Sequence, residues 1–215
     1  MIKILLVDDH DLVRSGLKSI LESNPDFSVM HELNTGEAAV DYLQSSDQSL
    51  PDLVLMDINM PGIGGIEATR RIKQKNNAIK VIAVTALRED PFPSQLLKAG
   101  AEGYITKGCD AAEMFNAIHT VMSGKQYLAA QISEKISLSK INGDDPETPF
   151  AGLSDREMQV MLMVTQGHSN QDISDTLFLS PKTVSTYRHR LFEKLKVKND
   201  VELTHMAIRH GVIDT

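Results

Sequence analysis

Carboxylates at the ends of two apolar runs carry the clearest chemistry in this 215-residue chain. MIKILLV ends in Asp8-Asp9, and LVLM ends in Asp57 ahead of the Pro/Gly-rich turn INMPGIGG. Carboxylates brought together repel one another, so three at one place need a cation to stay charged. Oxygen-only ligands with open positions suit Mg²⁺, which keeps some water and takes phosphate oxygens. A carboxylate beside such an ion is a nucleophile toward a phosphoryl group. Two further apolar runs end in groups that bind phosphoryl oxygens. VIAV ends in the hydroxyl of Thr85, followed by the small Ala86, and YIT ends in Lys107. Singly, Asp57 reads as a helix cap, Thr85 as a turn hydroxyl and Lys107 as a surface charge. Their occurrence at the ends of four strands is what points to phosphoryl chemistry.

These groups meet only if the elements carrying them run the same way. Apolar strand patterns fall near 2–7, 28–33, 52–56, 79–84 and 102–106. Amphipathic helical patterns fall near 11–23, 36–46, 65–75, 92–99 and 111–123. Such alternation predicts βαβ units around a doubly wound, five-stranded parallel sheet. Right-handed crossovers bring all five strand ends to one edge. In the flavodoxin-like order 2-1-3-4-5 the first and third strands are neighbours, which joins Asp8 and Asp9 to Asp57.

The pattern breaks after residue 124. QYLAAQIS opens with helical spacing, and NGDDPETP is a linker composition, so 125–149 is a partly helical linker. Residues 150–215 carry only helical signals, in four segments. Ser154 and Glu157 form a capping box before MQVMLMV, and Gly167 is placed to end that helix. Asn170 caps a short helix reaching Leu177. Ser180-Pro181 opens a helix to about Leu195. Asn199 or Asp200 starts the last, which runs to about His210. On the Ser180-Pro181 helix, Val184, Tyr187, Leu191 and Leu195 share one face, and Lys182, Ser185, Thr186 and His189 the other. A short connection followed by a basic helix with one packed face is a helix-turn-helix arrangement suited to the DNA major groove.

Charge is unevenly distributed within the net of -7. Residues 1–124 hold 11 basic and 17 acidic side chains, a net of -6, whereas residues 151–215 hold 8 of each. Within the latter, residues 182–198 carry six cations against Glu193, a local net of +5. No segment approaches the ~18 consecutive apolar residues of a membrane span, and no signal-peptide pattern precedes the first strand. The single Cys109 excludes an internal disulfide framework. These features predict a soluble, cytoplasmic protein.

Over 1–124 the acid, Thr and Lys set resembles the receiver domain of two-component response regulators. That resemblance implies that Asp57 is the phosphoacceptor for a histidine-bound phosphoryl group and that Asp9 ligates Mg²⁺ directly. Asp8 then acts partly through water, and Asn59 completes the metal shell through its backbone carbonyl. Thr85, Ala86 and Lys107 correspond to the phosphoryl-binding positions and Tyr104 to the aromatic switch. Gly108 stands where many receivers have proline. LSDRE, QDIS, LSPKTV and EKL occur in the order and spacing of the LuxR-type DNA-binding domain. By that resemblance Lys182, Thr183, Tyr187, Arg190 and Lys194 contact DNA phosphates, and Ser185, Thr186 and His189 face bases. Val201, Leu203, Ala207 and Ile208 correspond to a dimer helix. Together the halves resemble the NarL/FixJ class, transcription factors rather than enzymes. Within it the likeness is nearest to a gammaproteobacterial group that pairs with hybrid sensor kinases and controls small regulatory RNAs of a Csr-type system. An enzyme with an aspartyl-phosphate intermediate explains the acids but leaves the helix-turn-helix unused. A receiver serving as a fixed dimerisation module leaves the acid–Thr–Lys set unused.

Overall fold

The computed structural model describes residues 1–44, 49–85, 92–128, 149–210 and 212–213. The N-terminal strands are β1 (Ile2–Val7), β2 (Phe27–Leu33), β3 (Leu53–Asp57), β4 (Lys80–Thr85), β5 (Gly103–Thr106) and β6 (Tyr127–Leu128). They alternate with α1 (Asp11–Glu22), α2 (Gly36–Tyr42), α3 (Gly64–Lys75), α4 (Phe92–Ala99) and α5 (Ala111–Met122). All strand pairs are parallel, in the order β2-β1-β3-β4-β5-β6. The C-terminal half holds a 3₁₀ turn (Pro149–Gly152), then α6 (Asp155–Thr165), α7 (Asn170–Leu177), α8 (Pro181–Leu195) and α9 (Asp200–Arg209). The chain divides into two compact units, one carrying the sheet and the other α6 to α9.

Strand periodicity sorts the N-terminal core into two layers. Ile4 and Leu6 pack with Leu17 and Leu21 of α1 and Ala117, Ile118 and Val121 of α5. Leu5 and Val7 point the other way, against Ala39 and Val40 of α2 and Ala68 and Ile72 of α3. Both faces of β1 are therefore covered, which is why the strand reads as an unbroken apolar run rather than an alternating one. Burying each such side chain contributes about 1.5–3 kcal/mol.

The sixth strand departs from the five-strand expectation. Just past α5, Gly124 has a φ of +84°, readily adopted only by glycine. The chain then returns along the open edge of β5, where Tyr127 N–H donates to the Glu102 carbonyl at 2.9 Å. Two residues are too few to leave a periodic signal, so the helical spacing read from 126 onward misassigns Tyr127 and Leu128. The rest of that partly helical linker, through 148, lies outside the described residues.

In the helical unit the Ser154–Glu157 capping box forms as expected, with Ser154 N–H donating to Glu157 Oε2 at 2.7 Å. Gly167 has φ +85° just past α6. The cap of α7 is Ser169 rather than Asn170: Ser169 and Asp172 make a second capping box. Asn170 Oδ1 instead accepts from Arg188 Nη1 at 2.9 Å, joining α7 to α8. Asn199 caps α9 by accepting from Glu202 N–H at 2.9 Å. Met158, Met161, Ile173, Leu177, Val184, Leu191, Leu195, Leu203 and Ala207 form the buried interior.

Candidate functional site

Register builds the acidic pocket. Val7 pairs with Met56, so the next residues, Asp8 and Asp57, emerge side by side. Asp57 pairs with Val84, which places Thr85 one step beyond it, and Thr85 pairs with Thr106, after which the chain delivers Lys107. Asp8 is 1% and Asp57 2% exposed. Lys107 Nζ lies 2.8 Å from Asp8 Oδ2 and 2.9 Å from Asp57 Oδ2, a cation held between two buried acids. Asn59 N–H donates to Asp57 Oδ1 at 3.2 Å. Thr85 and Tyr104 are fully buried, while Ala86 lies outside the described residues.

Burial pushes the Asp57 carboxyl above its ordinary range; Lys107 opposes this and nearby Asp8 adds to it. Burial alone lowers the Lys107 ammonium, but its bonds to Asp57 and Asp8 outweigh that and hold it above the usual lysine range. The pocket thus keeps its lysine charged and carries more carboxylate than one cation balances. A ligand oxygen or nitrogen from each of Asp8, Asp9, His10 and Asp57 lies within 4.8 Å of the others. The oxygen-rich set fits a hard divalent cation.

Sequence reasoning missed three contributors to this pocket. His10 follows the acid pair directly, so proximity was its only signal. Arg14, one turn into α1, donates from Nη1 to the Asp8 carbonyl at 2.6 Å and braces the loop. Gly65 lets α3 approach the end of β3, and its N–H donates to the Ile58 carbonyl at 3.0 Å.

On α8, Lys182, Ser185, Thr186, His189 and Arg190 are exposed, and Thr183 and Tyr187 are partly buried. Val184, Leu191 and Leu195 face inward. The helix therefore presents an exposed face of short polar and cationic groups opposite its buried one. Lys194, expected among the phosphate contacts, is exposed and also makes contacts within its own unit. Its Nζ donates to Glu157 Oε2 at 2.7 Å and to the Gly152 carbonyl at 3.2 Å, tying α8 to the start of α6. The expected dimer set also divides. Leu203 and Ala207 are 0% exposed within their own unit, because they lie on the face of α9 that closes the core, whereas Val201 is 62% exposed.

Residues 4–119 match the response regulator receiver domain family, and residues 151–207 match the bacterial regulatory proteins of the luxR family. The chain belongs to the response regulators. This response regulator is 48% identical to Response regulator UvrY of Escherichia coli K12 over 212 residues, 99% of this chain and 96% of that protein. It is 48% identical to Response regulator GacA of Pseudomonas aeruginosa PAO1 over 214 residues, 100% of this chain and 99% of that one. The structure of RcsB from Salmonella enterica serovar Typhimurium, bound to promoter rprA with the phosphomimetic BeF3-, shares its fold. The TM-score is 0.68 at 22% identity, covering 95% of this chain and 97% of that one.

Two other groups of this response regulator are defined by their surroundings. Burial, aided by Glu113 and Asp110, pushes the Cys109 thiol up to about 11, so little reactive thiolate is present at neutral pH. Burial raises the Glu157 carboxyl, but hydrogen bonds from Lys194 and Ser154 outweigh it and hold the group below the ordinary range. The Glu157 interactions thus stabilise fully above the unfolded value of about 4.3. This stabilisation is lost as pH falls through the lower folded value. Glu157→Gln is expected to cost the helical unit about 1–2 kcal/mol at neutral pH, the half-exposed Lys194 limiting the loss. It should also flatten the acid limb of stability below about pH 4. Hydrogen exchange of the α6 amides against pH measures both.

Proposed function

We propose that this response regulator is switched by phosphorylation of Asp57 in a receiver spanning 1–124 and acts on promoter DNA through 150–215. The observation that carries the reading is the Asp8–Lys107–Asp57 arrangement: two buried carboxylates share one lysine, with a third acid, Asp9, at the same strand edge.

Asp8, Asp9 and Asp57, with the Asn59 backbone carbonyl, are the groups that hold Mg²⁺. When bound, the ion neutralises charge developing on the phosphoryl oxygens. An Asp57 oxygen attacks phosphorus as the bond to the donor's imidazole nitrogen breaks, and the imidazole leaves with that electron pair. Lys107 exchanges its Asp57 bond for a phosphoryl oxygen. Thr85, with Ala86 beside it, takes another. Moving Thr85 away from the interior changes the space available to Tyr104 and links the pocket to the helix face beside it. The phosphodonor is a hybrid sensor kinase, and the active form is a homodimer that binds two half-sites. The likeness to UvrY and GacA supports control of small regulatory RNA genes of a Csr-type system. Composition supports a cytoplasmic location, and no described helix is long and apolar enough to cross a membrane.

Lys182, Thr183, Tyr187 and Arg190 serve phosphate contacts, and Ser185, Thr186 and His189 face bases. RcsB, of the same fold, is bound to promoter DNA in its own structure. The full chain titrated with promoter DNA is expected to bind more tightly after treatment with acetyl phosphate and Mg²⁺. Equal affinity with and without the donor would remove phosphorylation from the account. Lys182→Ala and Arg190→Ala should each weaken binding to every sequence and reduce the salt slope of log K by about 0.9. Substitutions at Thr186 or His189 should instead alter sequence preference.

A further inference from the structure

His10 stands against the acid cluster, and none of the roles above uses it. Its Nδ1 lies 2.8 Å from Asp9 Oδ1 and 3.5 Å from Asp8 Oδ1. Donor atoms about 2.1 Å from a shared ion lie about 3.0 Å apart along an octahedral edge and about 3.4 Å apart along a tetrahedral one. The His10 separations are of that size. Asp8 Oδ2 pairs with Lys107 Nζ at 2.8 Å, and the buried Asp9 Oδ1, which no described donor reaches in good alignment, faces His10 Nδ1 at 2.8 Å. The backbone is already set: His10 N–H donates to Asp8 Oδ1 at 2.8 Å, and Arg14 holds the Asp8 carbonyl.

We propose that His10 makes this pocket a mixed nitrogen–oxygen centre that takes first-row transition dications such as Co²⁺, Ni²⁺ or Zn²⁺ in competition with Mg²⁺. The inference rests on the reading of the acid pocket as a divalent-cation site and adds a ligand to it. An imidazole nitrogen adds little for a hard ion such as Mg²⁺, which is satisfied by carboxylate, carbonyl and water. It adds much for the transition ions, which bind nitrogen strongly. Nδ1 gives its lone pair to the ion, and the ring proton resides on Nε2. The ring is 64% exposed, so the proton relocates through water. Occupancy of the pocket then depends on which cations are available as well as on Mg²⁺.

The test titrates the full chain with Mg²⁺ alone and with Co²⁺ alone, by calorimetry and by the visible d–d absorption of bound Co²⁺. Wild type is compared with His10→Ala and His10→Asn; the second keeps a short polar side chain ahead of α1. Both variants should retain Mg²⁺ affinity within about twofold. They should lose Co²⁺ affinity by about tenfold or more, the scale on which ligand-shell losses act, with a changed Co²⁺ spectrum. Unchanged Co²⁺ binding and spectrum in His10→Ala overturn the proposal, and so does an equal loss for both ions in both variants. A wild-type chain that binds neither ion overturns the underlying reading of the acid pocket. Mg²⁺ binding without a His10-dependent Co²⁺ site leaves that reading intact and removes only the ligand assigned here.

Discussion

Asp57→Asn is expected to reduce labelling by acetyl phosphate to background while leaving the sheet intact. Asparagine keeps the shape of the side chain and can still accept from Asn59 N–H, but its amide is a poor nucleophile. Among the described residues no other acid stands in the same place: Asp57 ends a central strand with an acid-bearing strand on one side and Thr85 on the other. The substitution also removes one of two repelling charges buried beside Lys107. In Mg²⁺-free buffer the variant should therefore be as stable as wild type or about 1 kcal/mol more so. Adding Mg²⁺ at a hundred times its dissociation constant should stabilise wild type by about 2.7 kcal/mol and Asp57→Asn by much less. Phosphoryl labelling and urea unfolding, each with and without Mg²⁺, measure the two effects. Labelling of Asp57→Asn at the wild-type level would move the acceptor elsewhere.

The largest stability effect is expected at a glycine. A Cβ on Gly65 would lie 2.0 Å from the Asp57 carbonyl oxygen and 2.8 Å from Ile58 Cα, both backbone atoms. Neither can move without shifting the end of β3 against the start of α3. Gly65→Ala should cost about 3 kcal/mol or more and displace Asp57 from Lys107, so labelling falls with stability. Gly16 is the control: in the interior of α1 a Cβ there meets nothing within 4 Å. Gly16→Ala should stabilise by about 0.5–1 kcal/mol through helix propensity. Similar unfolding midpoints for the two variants would contradict the packing assigned to the β3–α3 turn.

Much of this architecture was legible because local chemistry and the fold agree. β1 reads as a buried strand from its composition alone, and α8 declares its start through Ser180-Pro181 and its inner face through Val184, Leu191 and Leu195. Asp8 and Asp57 were predicted to meet because parallel strands end on one edge. The failures share a cause. β6 exists only as a partner for the open edge of β5, and two residues carry no period. Asn170 has the composition of a cap, but Ser169 is one residue nearer the true start and the Asn170 amide goes to Arg188. Lys194 belongs by composition to the basic run, but its bond to Glu157, 37 residues earlier, was invisible in any short window.

By itself the amino-acid order determined which residues could do chemistry, which segments become strands or helices, and therefore which ends carry the acids. Those properties depend on side-chain type and on periods of two or 3.6 residues, and both are local. Tertiary structure alone decided that Lys107 bridges Asp8 and Asp57, that His10 turns toward the acids, that Gly65 must lack a side chain, and that Leu203 and Ala207 close their own core. Each depends on a distance between residues remote in the chain or on the direction a side chain takes once packed. Such distances are set by the register and packing of whole elements, which no short window of sequence contains.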